Sequence, residues 1–194
     1  MCIVSRSSNY IFFHIPKCGG TSVSEILPNK EKVRLIEHTH LDYVKTKFAF
    51  EENNELNFFN NCKKFSIVRN PYDRAISLYC YIKQHKDHHL HNRLINHDFT
   101  QFCYFLKNLG DDSITTCYQH LCDDNGFIDD SIKIFKLEEI KTHIEEISDI
   151  IGEKINLIPH INKSDFFYKK TNESDLLIKD IFIQDFDTFY EELL

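Results

Sequence analysis

Two short segments of the sequence carry the residue types needed to bind phosphate groups. In the first, residues 16–22 (PKCGGTS), a lysine precedes two adjacent glycines and two hydroxyl side chains. Adjacent glycines let the backbone approach a bulky anion, and a helix that starts here presents N–H groups and the positive end of its dipole. Lys17 adds a mobile cation. The segment predicts a phosphate-binding turn, with an ordinary glycine turn as the alternative.

In the second segment, residues 66–77 (SIVRNPYDRAIS), a short apolar run is followed by an arginine. The guanidinium of Arg69 can bind a phosphate through two parallel hydrogen bonds, and the hydroxyl of Ser77, about two helical turns later, can complete the site. Arg74 either points the same way or pairs with Asp73 or another acid. Taken alone, the segment is equally compatible with a strand, a turn and a helix that carries surface charges.

Apolar periodicity indicates the elements that position these segments. Buried strands are predicted at residues 10–15, 33–37, 64–68 and 131–135. Helices are predicted at residues 21–27, 41–48, 72–82, 99–109, 137–151 and 173–183, with Asn70 as a cap and Pro71 as a first helical residue. This alternation predicts an α/β protein with a three-layer, P-loop-like fold and a short central parallel sheet flanked by helices. Ligands of such sheets bind beyond the carboxyl ends of the strands, where both segments lie.

Length and composition restrict the class of protein. A single domain over residues 1–194 is expected, because no linker or repeat interrupts the chain. The formal net charge of −7 disfavours a nucleic-acid partner but allows a local anion site. Seven scattered cysteines without a CxxC pair predict reduced thiols in a soluble, cytoplasmic protein. No run approaches the roughly 18 apolar residues of a membrane helix, and both an anchor outside this chain and the oligomeric state are left open.

Together the two segments resemble the donor-binding motifs of the sulfotransferases that use 3′-phosphoadenosine 5′-phosphosulfate (PAPS). HIPKCGGTS, residues 14–22, closely resembles their 5′-phosphosulfate loop, and VRNPYDRAISLY, residues 68–79, closely resembles their 3′-phosphate motif. The order and separation of the motifs also match. The nearest branch is the one that acts on carbohydrates, which includes the uronosyl 2-O-sulfotransferases and small bacterial sulfotransferase-family proteins. Outside the two motifs the resemblance is weaker, although it covers most of the chain.

The resemblance implies a set of PAPS-binding residues. Arg69 and Ser77 would hold the 3′-phosphate, and Lys163 and Ser164 would belong to a later loop that closes over the nucleotide or, alternatively, to a polar surface turn. Relatives often have Thr or Ala at the position of Cys18, where the backbone N–H matters more than the side chain. The residues of the 5′-phosphosulfate loop are Lys17, Cys18, Gly19, Gly20, Thr21 and Ser22.

The resemblance also implies the catalytic residues. In-line sulfuryl transfer between two oxygens depends mainly on positioning and on charge stabilisation, so Lys17 would stabilise the charge that develops on the leaving phosphate. A base must accept the proton of the attacking hydroxyl, and the pKa of histidine suits this role. By similarity to an H-x-H segment of the 2-O-sulfotransferases, we expect His40 to be the base and His38 to assist it or contact the acceptor. The reverse assignment, and two exposed histidines without a role, stay open.

The function predicted from the sequence is therefore sulfation of an acceptor hydroxyl, favoured on a carbohydrate, with PAPS as cosubstrate and adenosine 3′,5′-bisphosphate (PAP) as product. No metal is expected, and the histidines between residues 85 and 97 are interpreted as part of a solvated connection. One alternative is an ATP-dependent small-molecule kinase, although the order GxxxxGK[ST] is missing. Another is a nucleotide-binding interaction module that has lost catalysis. The identity of the acceptor hydroxyl is not predicted.

Overall fold

The computed structural model describes residues 2–33, 56–109, 116–159 and 168–194. The chain divides into two compact units, one formed by Met1–Arg69 with Cys117–Ile161 and the other by Asn70–Thr116 with Asn162–Leu194. We call them the sheet unit and the helical unit, because all strands of the described residues belong to the first. The single sulfotransferase domain expected over residues 1–194 stays a prediction.

The sheet unit contains a five-stranded sheet with the order β3-β1-β2-β4-β5. The pairs β2–β4 and β4–β5 are parallel, which confirms the α/β class and the predicted central parallel sheet. An antiparallel edge, β3–β1–β2, extends that centre, because a turn of only four residues reverses the chain between β1 and β2. The strands are β1 (Cys2–Ser5), β2 (Tyr10–Phe13), β3 (Glu31–Val33), β4 (Lys63–Val68) and β5 (Ile132–Lys136).

Several predicted elements differ from the observed ones at their boundaries. The predicted strand at residues 33–37 overlaps β3 at Val33 alone, and its remaining residues, like the predicted helix at 41–48, lie outside the described residues. The predicted helix at 137–151 begins as a 3-10 helix, Leu137–His143, before it becomes α-helical. In chain order, the described α-helices are α1 (Gly20–Ile26), α2 (Leu56–Asn61), α3 (Pro71–Gln84), α4 (His91–Leu94), α5 (Phe99–Asn108), α6 (Cys117–Leu121), α7 (Ile144–Ile151), α8 (Asn172–Ile181) and α9 (Ile183–Phe189).

The core of the sheet unit lies on one face of the sheet. Alternate residues of β2 and β4 point to this face, where the rings of Phe12 and Phe65 stack with centroids 4.8 Å apart. Helices α1 and α7 cover them through Val23 and Ile147, both fully buried. Because the strands are packed in this way, the positions at which β2 and β4 end are fixed.

Three of the described helices of the helical unit, α3, α5 and α8, begin with a local side-chain hydrogen bond. The side chain of Asn70 accepts a hydrogen bond from the backbone N–H of Tyr72 at 2.9 Å, and Pro71 is the first residue of α3, as predicted. Helices α5 and α8 each begin with a capping box. Tyr79 of α3 packs between Phe99 and Phe102 of α5, with ring centroids 5.5 and 5.2 Å away.

Candidate functional site

The parallel pairing of β2 with β4 brings the ends of both strands to one edge of the sheet. Phe13 lies opposite Ser66, whose hydroxyl donates a hydrogen bond to the Phe13 carbonyl at 2.8 Å. Just beyond this pair, Nη1 of Arg69 donates to the backbone carbonyl of Lys17 at 3.3 Å. The two sequence segments therefore meet directly, through the Arg69 guanidinium and the Lys17 backbone, at the carboxyl edge predicted for a ligand.

The turn that follows β2 contains two residues in the left-handed region. Lys17 has φ 67° and Gly19 has φ 75°. Glycine adopts this conformation without a steric penalty, whereas an L-residue with a side chain loses about 1–2 kcal/mol. The backbone N–H of Cys18 donates to the Ile15 carbonyl at 3.4 Å, and α1 begins at Gly20. The turn is tight, and its strain is concentrated at the predicted catalytic lysine.

Packing alone already requires glycine at positions 19 and 20. A Cβ atom on Gly20 would lie 1.9 Å from Cδ2 of His14, and one on Gly19 would lie 2.6 Å from Cδ1 of Leu137. The His14 ring is stacked on Phe12 at 5.9 Å. His14 and Leu137 therefore pack against the two glycines and support the loop. The position of His14 within the first motif could have suggested this role, whereas no sequence signal points to Leu137.

Side chains of the loop differ in their access to solvent. Lys17 is half-buried and Thr21 is exposed, so both can reach a ligand, whereas Ser22 is 8% exposed. Cys18 is buried, with its Sγ 3.6 Å from the Sγ of Cys117 in α6. The side chain of Cys18 is thus directed into the protein, and a role of its backbone in ligand binding stays a prediction.

The arginines of the second segment have different partners. Arg69 is half-buried beside the Lys17 carbonyl. Arg74 is buried in the helical unit, with Nη1 3.8 Å from Oδ2 of Asp185 and its guanidinium 5.7 Å from the centre of the Phe182 ring. Of the alternatives for Arg74, pairing with an acid other than Asp73 is therefore the one observed. Ser77 lies half-buried on the second turn of α3.

Four predicted site residues, His38, His40, Lys163 and Ser164, lie outside the described residues. Within the described parts of the chain, no group of three or more His, Cys, Asp or Glu side chains could hold a metal ion. The described helices include none that is long and apolar enough to span a membrane.

Comparison with known proteins gives one match. A family model described as "Sulfotransferase family" matches residues 1–191. No curated protein and no solved structure gives a significant match. The matched range includes both compact units and both predicted phosphate-binding segments.

Proposed function

Because the chain belongs to the sulfotransferase family, whose members transfer sulfuryl groups, we propose that PAPS is its donor and that a hydroxyl group, favoured on a carbohydrate, is its acceptor. The observation that supports this best is the 3.3 Å contact between Arg69 and the Lys17 carbonyl. It brings the cation proposed for the 3′-phosphate next to the loop proposed for the 5′-phosphosulfate. One bisphosphorylated nucleotide can then contact both.

The proposed binding site combines backbone and side-chain donors. The turn from Lys17 to Ser22 would surround the 5′-phosphosulfate with N–H groups, which suit an anion because the first N–H groups of a helix have no acceptor within it. Arg69 would bind the 3′-phosphate with charge-assisted hydrogen bonds. Ser77 is proposed to complete that site, and Lys163 and Ser164 to close over the nucleotide. Recognition of the 3′-phosphate would allow the protein to distinguish PAPS from ATP.

The proposed reaction is an in-line displacement at sulfur. The acceptor oxygen forms a bond to sulfur while the bond between sulfur and the 5′-phosphate oxygen breaks, and PAP leaves. Lys17 stabilises the negative charge that grows on this leaving phosphate. His40 accepts the acceptor's proton and His38 assists it or contacts the acceptor, with the reverse assignment still open. The proposal requires no metal.

Calorimetric titration of the full chain with PAP and with ATP tests the donor. We expect PAP to bind more tightly, since ATP carries no 3′-phosphate for Arg69. A preference for ATP, or magnesium-dependent ATP turnover, would favour the kinase alternative instead.

Labelled PAPS tested against a panel of glycans and small alcohols identifies the acceptor. With a working acceptor, Lys17→Ala and His40→Ala should abolish most of the transfer. Lys63→Ala is a matched control, because Lys63 is an exposed cation at the opposite end of β4. Unchanged transfer in the first two variants would contradict the mechanism. Tight PAP binding without transfer to any member of the panel would favour the non-catalytic interaction module.

We further propose that residues 1–194 act as one sulfotransferase domain. The family match runs through both compact units without interruption, from residue 1 to residue 191. Limited proteolysis with and without PAP tests this, since one functional domain should gain protection in both units when the nucleotide binds.

A reducing, cytoplasmic location is also proposed. All seven cysteines belong to the described residues, where each is buried and none forms a disulfide. Such thiols are typical of proteins in reducing compartments. Fractionation of the source cells, with thiol counting on the denatured protein, would check the location and the redox state together.

A further inference from the structure

Arg69 donates a hydrogen bond to the backbone carbonyl of Lys17. The binding of a nucleotide phosphate by Arg69 does not by itself require this hydrogen bond. Nη1 of Arg69 lies 3.3 Å from this oxygen, and 52 positions separate the two residues in sequence. The hydrogen bond between Ser66 and the Phe13 carbonyl, at 2.8 Å, fixes the register of the strands directly before it. The backbone position of Arg69 relative to the loop is therefore set by the sheet.

The Arg69 contact holds one side of a peptide unit that is also held on its other side. The carbonyl of Lys17 accepts from Arg69, and the N–H of the same peptide, which belongs to Cys18, donates to the Ile15 carbonyl at 3.4 Å. This peptide follows the left-handed residue Lys17, φ 67°. A non-glycine residue keeps this conformation when its surroundings impose it. Arg69 supplies part of that restraint, and so helps to set the direction of the Lys17 side chain.

We propose that Arg69 is a positioning residue of the 5′-phosphosulfate loop in addition to its proposed role at the 3′-phosphate. This inference rests on the proposed function and deepens it. The guanidinium carries five N–H donors in a rigid fork, so that one can hold the Lys17 carbonyl while others face a phosphate. One side chain thereby couples the two ends of the donor nucleotide.

The test uses two nucleotides, of which only PAP carries a 3′-phosphate. Their 5′ groups also differ, a phosphate in PAP and a phosphosulfate in the other, so each variant's affinity for a nucleotide is compared with that of the wild type for the same nucleotide. PAP carries the 3′-phosphate, whereas adenosine 5′-phosphosulfate lacks it and offers Arg69 no ligand there. Calorimetry on the full chain measures both affinities for the wild type and for Arg69→Ala. We expect Arg69→Ala to weaken the binding of adenosine 5′-phosphosulfate by about threefold to tenfold, because the loop loses one hydrogen bond within the protein and the nucleotide loses no direct contact. The binding of PAP should be weakened further, because PAP loses both the positioning of the loop and the contact of Arg69 with its 3′-phosphate.

Three further variants separate the loop effect from a general loss of charge or fold. Ser77→Ala should weaken PAP and leave adenosine 5′-phosphosulfate unchanged, since Ser77 is proposed to act at the 3′-phosphate alone. Lys63→Ala removes a cation at the start of β4, the strand that precedes Arg69. Lys63 likewise donates to a backbone carbonyl, that of Asp149, and its loss should change neither affinity. Arg69→Lys keeps a cation able to donate to the Lys17 carbonyl and should recover most of the affinity for adenosine 5′-phosphosulfate.

A kinetic measurement provides the second readout. With a working acceptor, Arg69→Ala should lower kcat as well as raise the KM for PAPS, because Lys17 is displaced from the leaving phosphate. Ser77→Ala should raise KM alone. Adenosine 5′-phosphosulfate binding within twofold of wild type in a folded Arg69→Ala variant overturns the inference and leaves the proposed function intact. A wild-type chain that binds neither nucleotide overturns both.

Discussion

Arg69 and Arg74 belong to one motif, and the structure gives them different partners. Arg69 is half-buried and donates to a neutral carbonyl, so its charge is not neutralised by that contact. Arg74 is 6% exposed and faces the carboxylate of Asp185, which is 0% exposed. The first arrangement leaves a cation able to bind an anionic ligand, whereas the second uses the cation to balance a buried charge. The comparison shows that burial and the charge of the partner, rather than the motif, decide what each arginine does.

The largest effect is expected at Arg74. Arg74→Ala should lower the free energy of unfolding by about 3–5 kcal/mol, because it leaves the Asp185 carboxylate buried without its counter-ion. Urea denaturation followed by far-UV circular dichroism measures this. The double variant Arg74→Met with Asp185→Leu should recover most of the loss, since it removes both charges. A decrease below about 1 kcal/mol would show that the pair is less important than its burial indicates.

The second prediction concerns the stability of the loop at Gly20. In Gly20→Ala the new Cβ would lie 1.9 Å from the His14 ring, so the ring must move and the variant should lose about 1–3 kcal/mol of stability. The matched control is the double variant Gly20→Ala with His14→Ala, in which space for the methyl group is available. Denaturation curves of the two variants that coincide would argue against this steric origin.

A smaller effect on stability is expected at Arg69. Arg69→Ala should change the free energy of unfolding by about 0.5–1.5 kcal/mol, since it removes one half-buried hydrogen bond. Its effect on ligand-induced stabilisation should be larger, because PAP at 100 times its Kd raises wild-type stability by about 2.7 kcal/mol. Thermal melts with and without PAP compare the two. A loss at Arg69 as large as that at Arg74 would remove the distinction between the two arginines.

The last prediction concerns alkaline pH and involves buried thiols of both units. Burial raises the pKa of Cys2 to about 12 and that of Cys62 to about 11 in the sheet unit, and the pKa of Cys103 to about 12 in the helical unit. These thiols are neutral in the folded chain between pH 9 and 11 but ionise in the unfolded chain, which therefore binds fewer protons. The contribution of these thiols to stability is thus fully present well below pH 9 and decreases as the pH rises above it. Urea denaturation at pH 8 and 10 should show a decrease that Cys62→Ala reduces, and an unchanged pH dependence in that variant would contradict the expectation.

Most of the parallel sheet could be predicted from the sequence, because strands buried on both faces are continuous apolar runs. β2 (YIFF) is such a run, β4 (KKFSIV) is apolar at three of its last four residues, and a polar residue, His14 or Arg69, follows each strand. β1 was missed because its apolar run, Cys2 to Val4, is only three residues long, and its strand conformation depends on pairing with β2 and β3. The cap at Asn70 was predictable, since the side chain and the N–H that it accepts from are two residues apart.

The candidate site was predictable in its residue types and in part of its geometry. Lys17 and Arg69 follow strands that are neighbours in the sheet, so their proximity follows from topology. The supports of the loop were not predictable, because Leu137 and Cys117 are about 100 or more residues away in sequence and no local pattern marks them. The same holds for Asp185, whose pairing with Arg74 requires the packing of α9 in the helical unit.

The pairing of β2 with β4 also determines when the anion loop can form during folding. Strands β1 and β2 are joined by a four-residue turn, and such hairpins close within about 1–10 µs. The Phe13–Ser66 bond instead joins residues 53 positions apart, and the chain-closure entropy of such a contact makes it slower. We therefore expect a nascent chain that has not yet reached Arg69 to contain the hairpin but no competent loop, so that nucleotide binding begins only after the long-range step.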